Sequence, residues 1–339
     1  MAPRPVLVTG ASGFIGRHLV RGLIDRGCRV SCLVRATSRI DELRSAGAQL
    51  VTGDVTDPAV IGRALALSHA RIVFHLAGLL KALRTDDFLR VNAGGVESVA
   101  AACADRADPP VFVVLSSLAA AGPCAVDRPR VESDLLTPVS NYGRSKLAGE
   151  QAAARYAGGV PISIIRPPIV FGSGDRGVLE MFRPIARWGI HAVPGRGEQR
   201  FSLIHVADLV EGLLLAAEKG ERLHPNGLPG QGVYFMATED ELTYTELGQA
   251  MAIALGKKHA TAVHLPGPLV KLVGLCGDAM MWIRQRPAWI NSDKMTEALA
   301  GSWMCSSAKA RTHLGWYPAN ALAERLYETA QWYRQAGWL

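Results

Sequence analysis

Tyr142 and Lys146 are the pair in this chain whose types and spacing best suit chemistry. They stand in Tyr142-Gly143-Arg144-Ser145-Lys146, and residues four apart on a helix share one face. An ammonium beside a phenol disfavours the phenolic proton, which is expected to lower the tyrosine pKa from its free value of about 10. Such a group passes a proton to or from a substrate oxygen. The same spacing also arises where a tyrosine edges a core and a lysine is solvated. Two facts weigh for the chemical reading: Ser117 stands 25 residues upstream, and Lys146 is one of two lysines before residue 219.

A second constellation is Thr9-Gly10-Ala11-Ser12-Gly13-Phe14-Ile15-Gly16. It closes a β-branched run and opens a helical one. Glycines at 10, 13 and 16 permit a tight turn, close approach of backbone to a pyrophosphate, and close packing of helix on strand. The helix N-terminus then offers free N–H groups to the phosphates. Cofactor choice is written about 20 residues on, at the end of the second strand. There the chain has Arg35 and Arg39 where an acidic residue would select NAD. The arginines suit the 2′-phosphate of NADP, with NAD as the alternative if Arg35 is only a solvated strand end. Asp54 is placed to accept from an adenine amino group, or to cap the helix that follows it.

These residues need a frame. Pro5–Thr9, Arg29–Val34, Gln49–Thr52, Ile72–Leu76, Val111–Ser116 and Ile162–Arg166 are apolar, β-branched and bounded by turns. Helical periods lie between them at Phe14–Arg26, Pro58–Ser68, Phe88–Ala104 and Asn141–Ala157. The alternation predicts an α/β fold, a doubly wound parallel sheet with ligands at the carboxyl ends of its strands. Residues 1–175 are the expected dinucleotide-binding domain. Residues 176–339 are expected to form mainly a smaller, mixed substrate-binding lobe, with helix 205–220 packing back on the sheet. All seven tryptophans fall in this second part. A stripe at Leu269, Leu272, Val273, Cys276, Met280 and Ile283 predicts a helix, and a last helix spans Ala321–Gln335. The stripe has three readings: ordinary core, the wall of an apolar pocket, or a peripheral membrane helix that Lys271 and Asp278 interrupt.

With these motifs in place, the chain resembles the extended short-chain dehydrogenase/reductases of the NAD-dependent epimerase/dehydratase superfamily. The likeness rests on Thr9–Gly16, His75-Leu76-Ala77-Gly78, Ser116-Ser117 and Tyr142–Lys146, and is specific across roughly residues 5–210. It implies a Rossmann domain in which Ser117, Tyr142, Lys146 and Asn92 are catalytic. Lys146 also anchors the nicotinamide ribose, Ser117 holds the substrate oxygen, and Asn92 organises the active-site helix and its water. The cofactor bed would be Gly10, Ser12, Gly13, Phe14, Ile15, Gly16, Arg35, Arg39, Asp54, Val55, Leu76, Ala77, Gly78, Tyr142, Lys146, Pro167 and Ile169. Ser117, Leu118, Tyr142 and Arg200 would meet substrate. No metal is implied.

Departures from the family's variants narrow the substrate. Dehydratases carry an acidic pair after the serine, where this chain has Leu118-Ala119. Sugar-nucleotide enzymes carry an asparagine where Ile169 stands in Arg166-Pro167-Pro168-Ile169-Val170-Phe171-Gly172. Both changes resemble hydroxysteroid dehydrogenases and dihydroflavonol reductases. Arg176, Arg183, Arg187, Arg196 and Arg200 pull the other way, toward a diphosphate clamp or a solvated face. His205 and Asp208 are expected to hold their segment in place. The leading expectation is an NADP-dependent oxidoreductase interconverting ketone and secondary alcohol on a largely apolar substrate. The alternatives are a nucleotide-sugar 4-epimerase with tightly held NAD and a non-catalytic NADP-binding sensor.

Composition bounds the partners. The 339 residues carry 37 Lys+Arg against 30 Asp+Glu, a formal +7, with 49% hydrophobic residues. No basic run suits nucleic acid, and no obvious transmembrane helix is expected. Six scattered cysteines without a Cys-x-x-Cys, and no leader before the first strand, give a cytoplasmic expectation. A homodimer is implied by family analogy alone.

Overall fold

The β-branched runs become the buried strands of one sheet. The computed structural model describes residues 4–125 and 127–339. In it β1 (Pro5–Thr9), β2 (Arg29–Val34), β3 (Gln49–Thr52), β4 (Ile72–His75), β5 (Val111–Leu115) and β6 (Ile162–Arg166) pair in parallel. Each boundary lies within one residue of the expected one. Between the strands run α1 (Phe14–Asp25), α2 (Asp41–Ser45), α3 (Pro58–Ser68), α4 (Thr85–Phe88), α5 (Gly94–Ala104), α6 (Leu118–Ala121) and α7 (Asn141–Ala154). The period over Phe88–Ala104 is broken: a π-helical turn, Leu89–Ala93, separates α4 from α5. Asn92 in that turn bonds the loop after β4 and the side chain of Ser145, and a single extra residue per turn aims it there.

After β6 come β7 (Ile169–Phe171), α8 (Leu179–Trp188), β8 (Ile190–Pro194), β9 (Arg200–Phe201), β10 (Leu203–His205) and α9 (Val206–Lys219). They are followed by β11 (Val233–Phe235), β12 (Leu242–Thr243), α10 (Tyr244–Ala254), β13 (Thr261–Leu265) and α11 (Gly267–Arg284). The chain ends with α12 (Ser292–Leu299), α13 (Ala308–Leu314) and α14 (Leu322–Gln335). Part of this half belongs to the sheet. β11 adds a seventh strand beside β6, giving the order β11-β6-β5-β4-β1-β2-β3, and α9 and α13 pack on the face that α1 covers. The order reverses between β1 and β4, the place where such sheets open a crevice for ligands.

Alternation along the strands fills two cores. Val6 and Val8 face α1, α9 and α13, while Leu7 faces α3 and α5. A third apolar cluster joins α8, α10 and α14 around Phe182, Leu326 and Tyr333. The stripe on α11 overturns the core reading. Leu269, Leu272, Cys276, Met280 and Ile283 are exposed, and the helix buries Val270, Gly274 and Met281 instead.

Two buried histidines set an acid limit. His75 shares a hydrogen bond with Thr9 through Nδ1 at 3.0 Å, and burial takes its pKa down to about 3. His205 caps α9 by accepting from the Ala207 N–H, and burial lowers it to about 4. Unfolded imidazoles titrate near 6.5, so these groups contribute fully above that pH, and their contribution is lost as pH falls from 6.5 toward 4. Thermal midpoints read across that window are expected to decline with acid. His205→Asn, which keeps a capping side chain, should decline less steeply.

Candidate active site

The glycine turn is built so that no side chain fits it. Gly10 has φ +71°, and a Cβ there would lie 2.5 Å from the carbonyl carbon of Leu76 and from the Ala77 nitrogen. A Cβ at Gly16 would collide with the Gly10 carbonyl. The Gly13 N–H donates to the Gly10 carbonyl at 3.0 Å and closes the turn. α1 starts at Phe14 with no side-chain cap and no acidic residue in its first turn, so its N–H groups are left for an anion. Ser12, Phe14 and Ile15 are partly exposed along this edge. Across the bed, Arg35 and Arg39 are exposed, with the Arg35 backbone closed in a turn by Ser38. Asp54 does not cap α3. Its carboxylate accepts from the Thr56 N–H (2.9 Å) and hydroxyl (2.7 Å), bonds that hold its pKa down, and Asp57 is the cap. Val55 is core, packed against Gly95.

The second half of the site hangs on α7. Ser140 caps the helix, accepting from the Gly143 N–H at 2.9 Å. Gly143 and Gly149 have no room for a Cβ against the carbonyls of Ala119 and Asn92, so α7 lies directly on α6 and the π turn. Tyr142 and Lys146 both reach the carboxyl end of β5. Lys146 Nζ donates to the Leu115 carbonyl at 2.6 Å, and the hydroxyl of Ser117, which caps α6, lies near enough to Tyr142 to favour its ionised form. A Cβ at Gly78 would press on the Asn92 side-chain oxygen at 3.1 Å. Asn92 spends its side chain on Leu79 N–H (2.7 Å), Leu79 carbonyl (3.0 Å) and Ser145 (2.9 Å), which makes it a positioning residue.

Electrostatics corrects one expectation. Burial lowers Lys146 to about 8, opposed by Glu150. Burial also pushes the Tyr142 phenol up, with the Ser117 hydroxyl pulling it down and Glu297 pushing it further up. The ammonium is aimed at a carbonyl and does not acidify the phenol, so Tyr142 keeps its proton at neutral pH.

Around Tyr142 the walls are apolar: Phe88, Leu118, Phe201, Phe235 and Trp303, with Ile169 at their edge. Pro167 contributes its carbonyl, which accepts from the Leu118 N–H at 2.8 Å. Arg200 does not join them; its guanidinium donates to the Glu241 carbonyl at 3.0 Å, and the next residue, Phe201, faces the site. Of the other arginines, Arg187 lies over Trp188 and Arg196 is exposed, while Arg176, over Trp338, and Arg183, paired with Glu180, line one pocket with Leu179 and Trp289, apart from the Tyr142 cluster. His205 and Asp208 are structural, as expected; Asp208 is buried and pairs with Arg325 at 2.8 Å.

Two groups went unseen in the sequence. Glu150 is buried, accepts from Ser116, and binds Arg166 through two bonds of 2.9 and 2.6 Å. It stands one turn beyond Lys146, so the i, i+4, i+8 series Tyr-Lys-Glu was a usable signal. The second group comes from α12. Asp293 accepts from the N–H groups of Asn141 (2.7 Å) and Tyr142 (3.2 Å), and Lys294 Nζ sits 4.8 Å from the Tyr142 ring centre. Nothing local announces a contact across 150 residues.

The family model described as "NAD dependent epimerase/dehydratase family" matches residues 6–228. The chain belongs to that family. A ceramide reductase of Caulobacter vibrioides is 33% identical over 337 residues, covering 98% of this chain and 96% of the relative. A 3 beta-hydroxysteroid dehydrogenase/Delta 5-->4-isomerase of Mycobacterium tuberculosis is 28% identical over 346 residues, covering 97% and 90%. In fold, a UDP-glucose 4-epimerase of Thermotoga maritima superposes with a TM-score of 0.76 at 23% identity, over 98% of this chain and 99% of that one. The family member described here is an extended short-chain dehydrogenase/reductase, an NAD(P)-dependent enzyme of oxidoreductase or epimerase type. A nicotinamide dinucleotide fits the glycine turn, where α1 begins with N–H groups that no side chain caps and with no acidic residue in its first turn. Among the described residues no cluster suits a metal ion, and no helix is long and apolar enough to cross a membrane.

Proposed function

We propose that this protein is an NADP(H)-dependent oxidoreductase that reduces a ketone to a secondary alcohol on a largely apolar, lipid-like substrate. The observation that carries the reading is the placement of Tyr142 in an apolar wall of Phe88, Leu118, Phe201, Phe235 and Trp303, one turn from Lys146 on α7. Bound NADPH would supply the hydride. Tyr142 donates the proton to the carbonyl oxygen, and Ser117 orients that oxygen beside it. Lys146, held at the carboxyl end of β5 by the Leu115 carbonyl, would bind the cofactor ribose. Glu150 and Arg166 brace Lys146 from behind. The likeness to a ceramide reductase along nearly the whole chain supports a lipid carbonyl over a nucleotide sugar. So does Ile169, which leaves no polar contact for a diphosphate.

The test is the nucleotide that copurifies, followed by a panel of ketones and alcohols read at the nicotinamide absorbance. Turnover of long-chain or steroidal ketones with NADPH supports the proposal. Non-exchanging NAD, with thermal protection by UDP-sugars and no ketone turnover, would replace it with the 4-epimerase. Arg35→Ala is expected to weaken NADPH about 10- to 100-fold, the worth of a charge-assisted hydrogen bond, and to leave NADH affinity unchanged. Titration of both coenzymes by nucleotide fluorescence checks this.

A further inference from the structure

α11 runs along the surface with its apolar side outward. Leu269, Leu272, Leu275, Met280, Trp282 and Ile283 are all exposed, Ile283 by 77%. At 3.6 residues per turn they fall within an arc of about 160°, and no charged residue falls inside it. Lys271 and Asp278, which appear in the sequence to interrupt the stripe, lie outside that arc. The Asp278 carboxylate is turned to α12, where it accepts from the Ser292 N–H at 3.2 Å. The opposite face of α11 is fitted to the protein. Gly277 has no room for a Cβ against the Ile290 carbonyl, and a Cβ at Gly274 would lie 3.0 Å from Ser292 Cα and Met295 Cγ.

Charge says what covers this face. From Lys257 to Arg286 there are five lysines and arginines against one acid, Asp278. That acid is occupied with a backbone N–H of α12. An apolar helix face with an edge tryptophan and a basic margin matches an anionic bilayer surface, where the rings settle at headgroup depth and the cations meet lipid phosphates. A second copy of the chain would bring the same basic margin against itself across a two-fold axis. The helix is 18 residues and does not span.

We propose that α11 is an in-plane anchor that seats this protein on anionic membranes, with the exposed Leu272–Ile283 face buried among the acyl chains. The anchor is one helix away from the candidate proton donor, since α11 packs on α12 and α12 places Asp293 and Lys294 against Tyr142. The proposal goes beyond the oxidoreductase reading and its test needs no activity.

The experiment is flotation of the full chain with vesicles of phosphatidylcholine, with and without roughly a third phosphatidylglycerol. The chain is expected to rise with the anionic vesicles, less so at high salt. A Leu272→Glu/Ile283→Glu variant with an unchanged melting profile should lose partitioning by about tenfold or more. Arg284→Gln/Arg286→Gln, altered only at exposed positions, should lose the preference for anionic lipid, and it decides the matter if the glutamate variant does not fold. A wild-type chain that stays below both vesicle populations overturns the proposal. So does one that sediments as a dimer which the glutamates split, because the face would then belong to a second copy.

Discussion

Tyr142→Phe is expected to lower turnover about 10³-fold, the middle of the range that a positioned acid supplies, while NADPH affinity stays as it was. The ring, which packs with Phe88, Leu118 and Trp303, is retained, so the site keeps its shape. What goes is one hydroxyl, with a stability change of no more than about 1 kcal/mol. The contrast between an intact dinucleotide titration and a collapsed kcat is the signature to look for. A variant that reduces ketones at the wild-type rate would remove Tyr142 from the reaction and sink the mechanism.

Glu150→Ala is expected to produce the largest loss of stability. Its carboxylate and the Arg166 guanidinium are both almost fully buried, and taking away one partner leaves an uncompensated charge in the interior. The cost is about 3–5 kcal/mol, with a fall in Tm on the order of 10 °C. A Glu150→Met/Arg166→Met pair should be more stable than Glu150→Ala alone, because it removes the orphaned charge as well. Glu150 also raises the pKa of Lys146. Lys146 is charged below about 8 and neutral above it, so loss of the carboxylate should move the high-pH fall in activity to lower pH. A Tm within a degree of wild type would show that water or another group replaces the pair.

Much of the dinucleotide half could be read directly. Buried parallel strands are continuous apolar runs, so Pro5–Thr9 and Ile162–Arg166 announce themselves, and the glycine spacing is dictated by collisions that the structure displays. The site was less legible where it depends on distant contacts. Asp293, Lys294 and Trp303 reach Tyr142 only through tertiary packing, and spacing along the chain carries no trace of that. The expected acidified phenol failed for a related reason. Residues four apart do share a face, but burial and the Leu115 carbonyl decide what the charge does there. The stripe on α11 shows a further limit: periodicity reports that one side of a helix is apolar, and is silent on what covers that side.

The carboxylate that closes the first turn of α7 arrives from 152 residues downstream. On the ribosome the coenzyme bed is therefore finished long before the residue that seats the proton donor has been made, and domains tend to fold in that order as they emerge. A chain stalled or clipped ahead of Asp293 would lack the carboxylate that meets the Asn141 and Tyr142 N–H groups. On the proposed reading, the proton donor is seated only after the coenzyme bed is made.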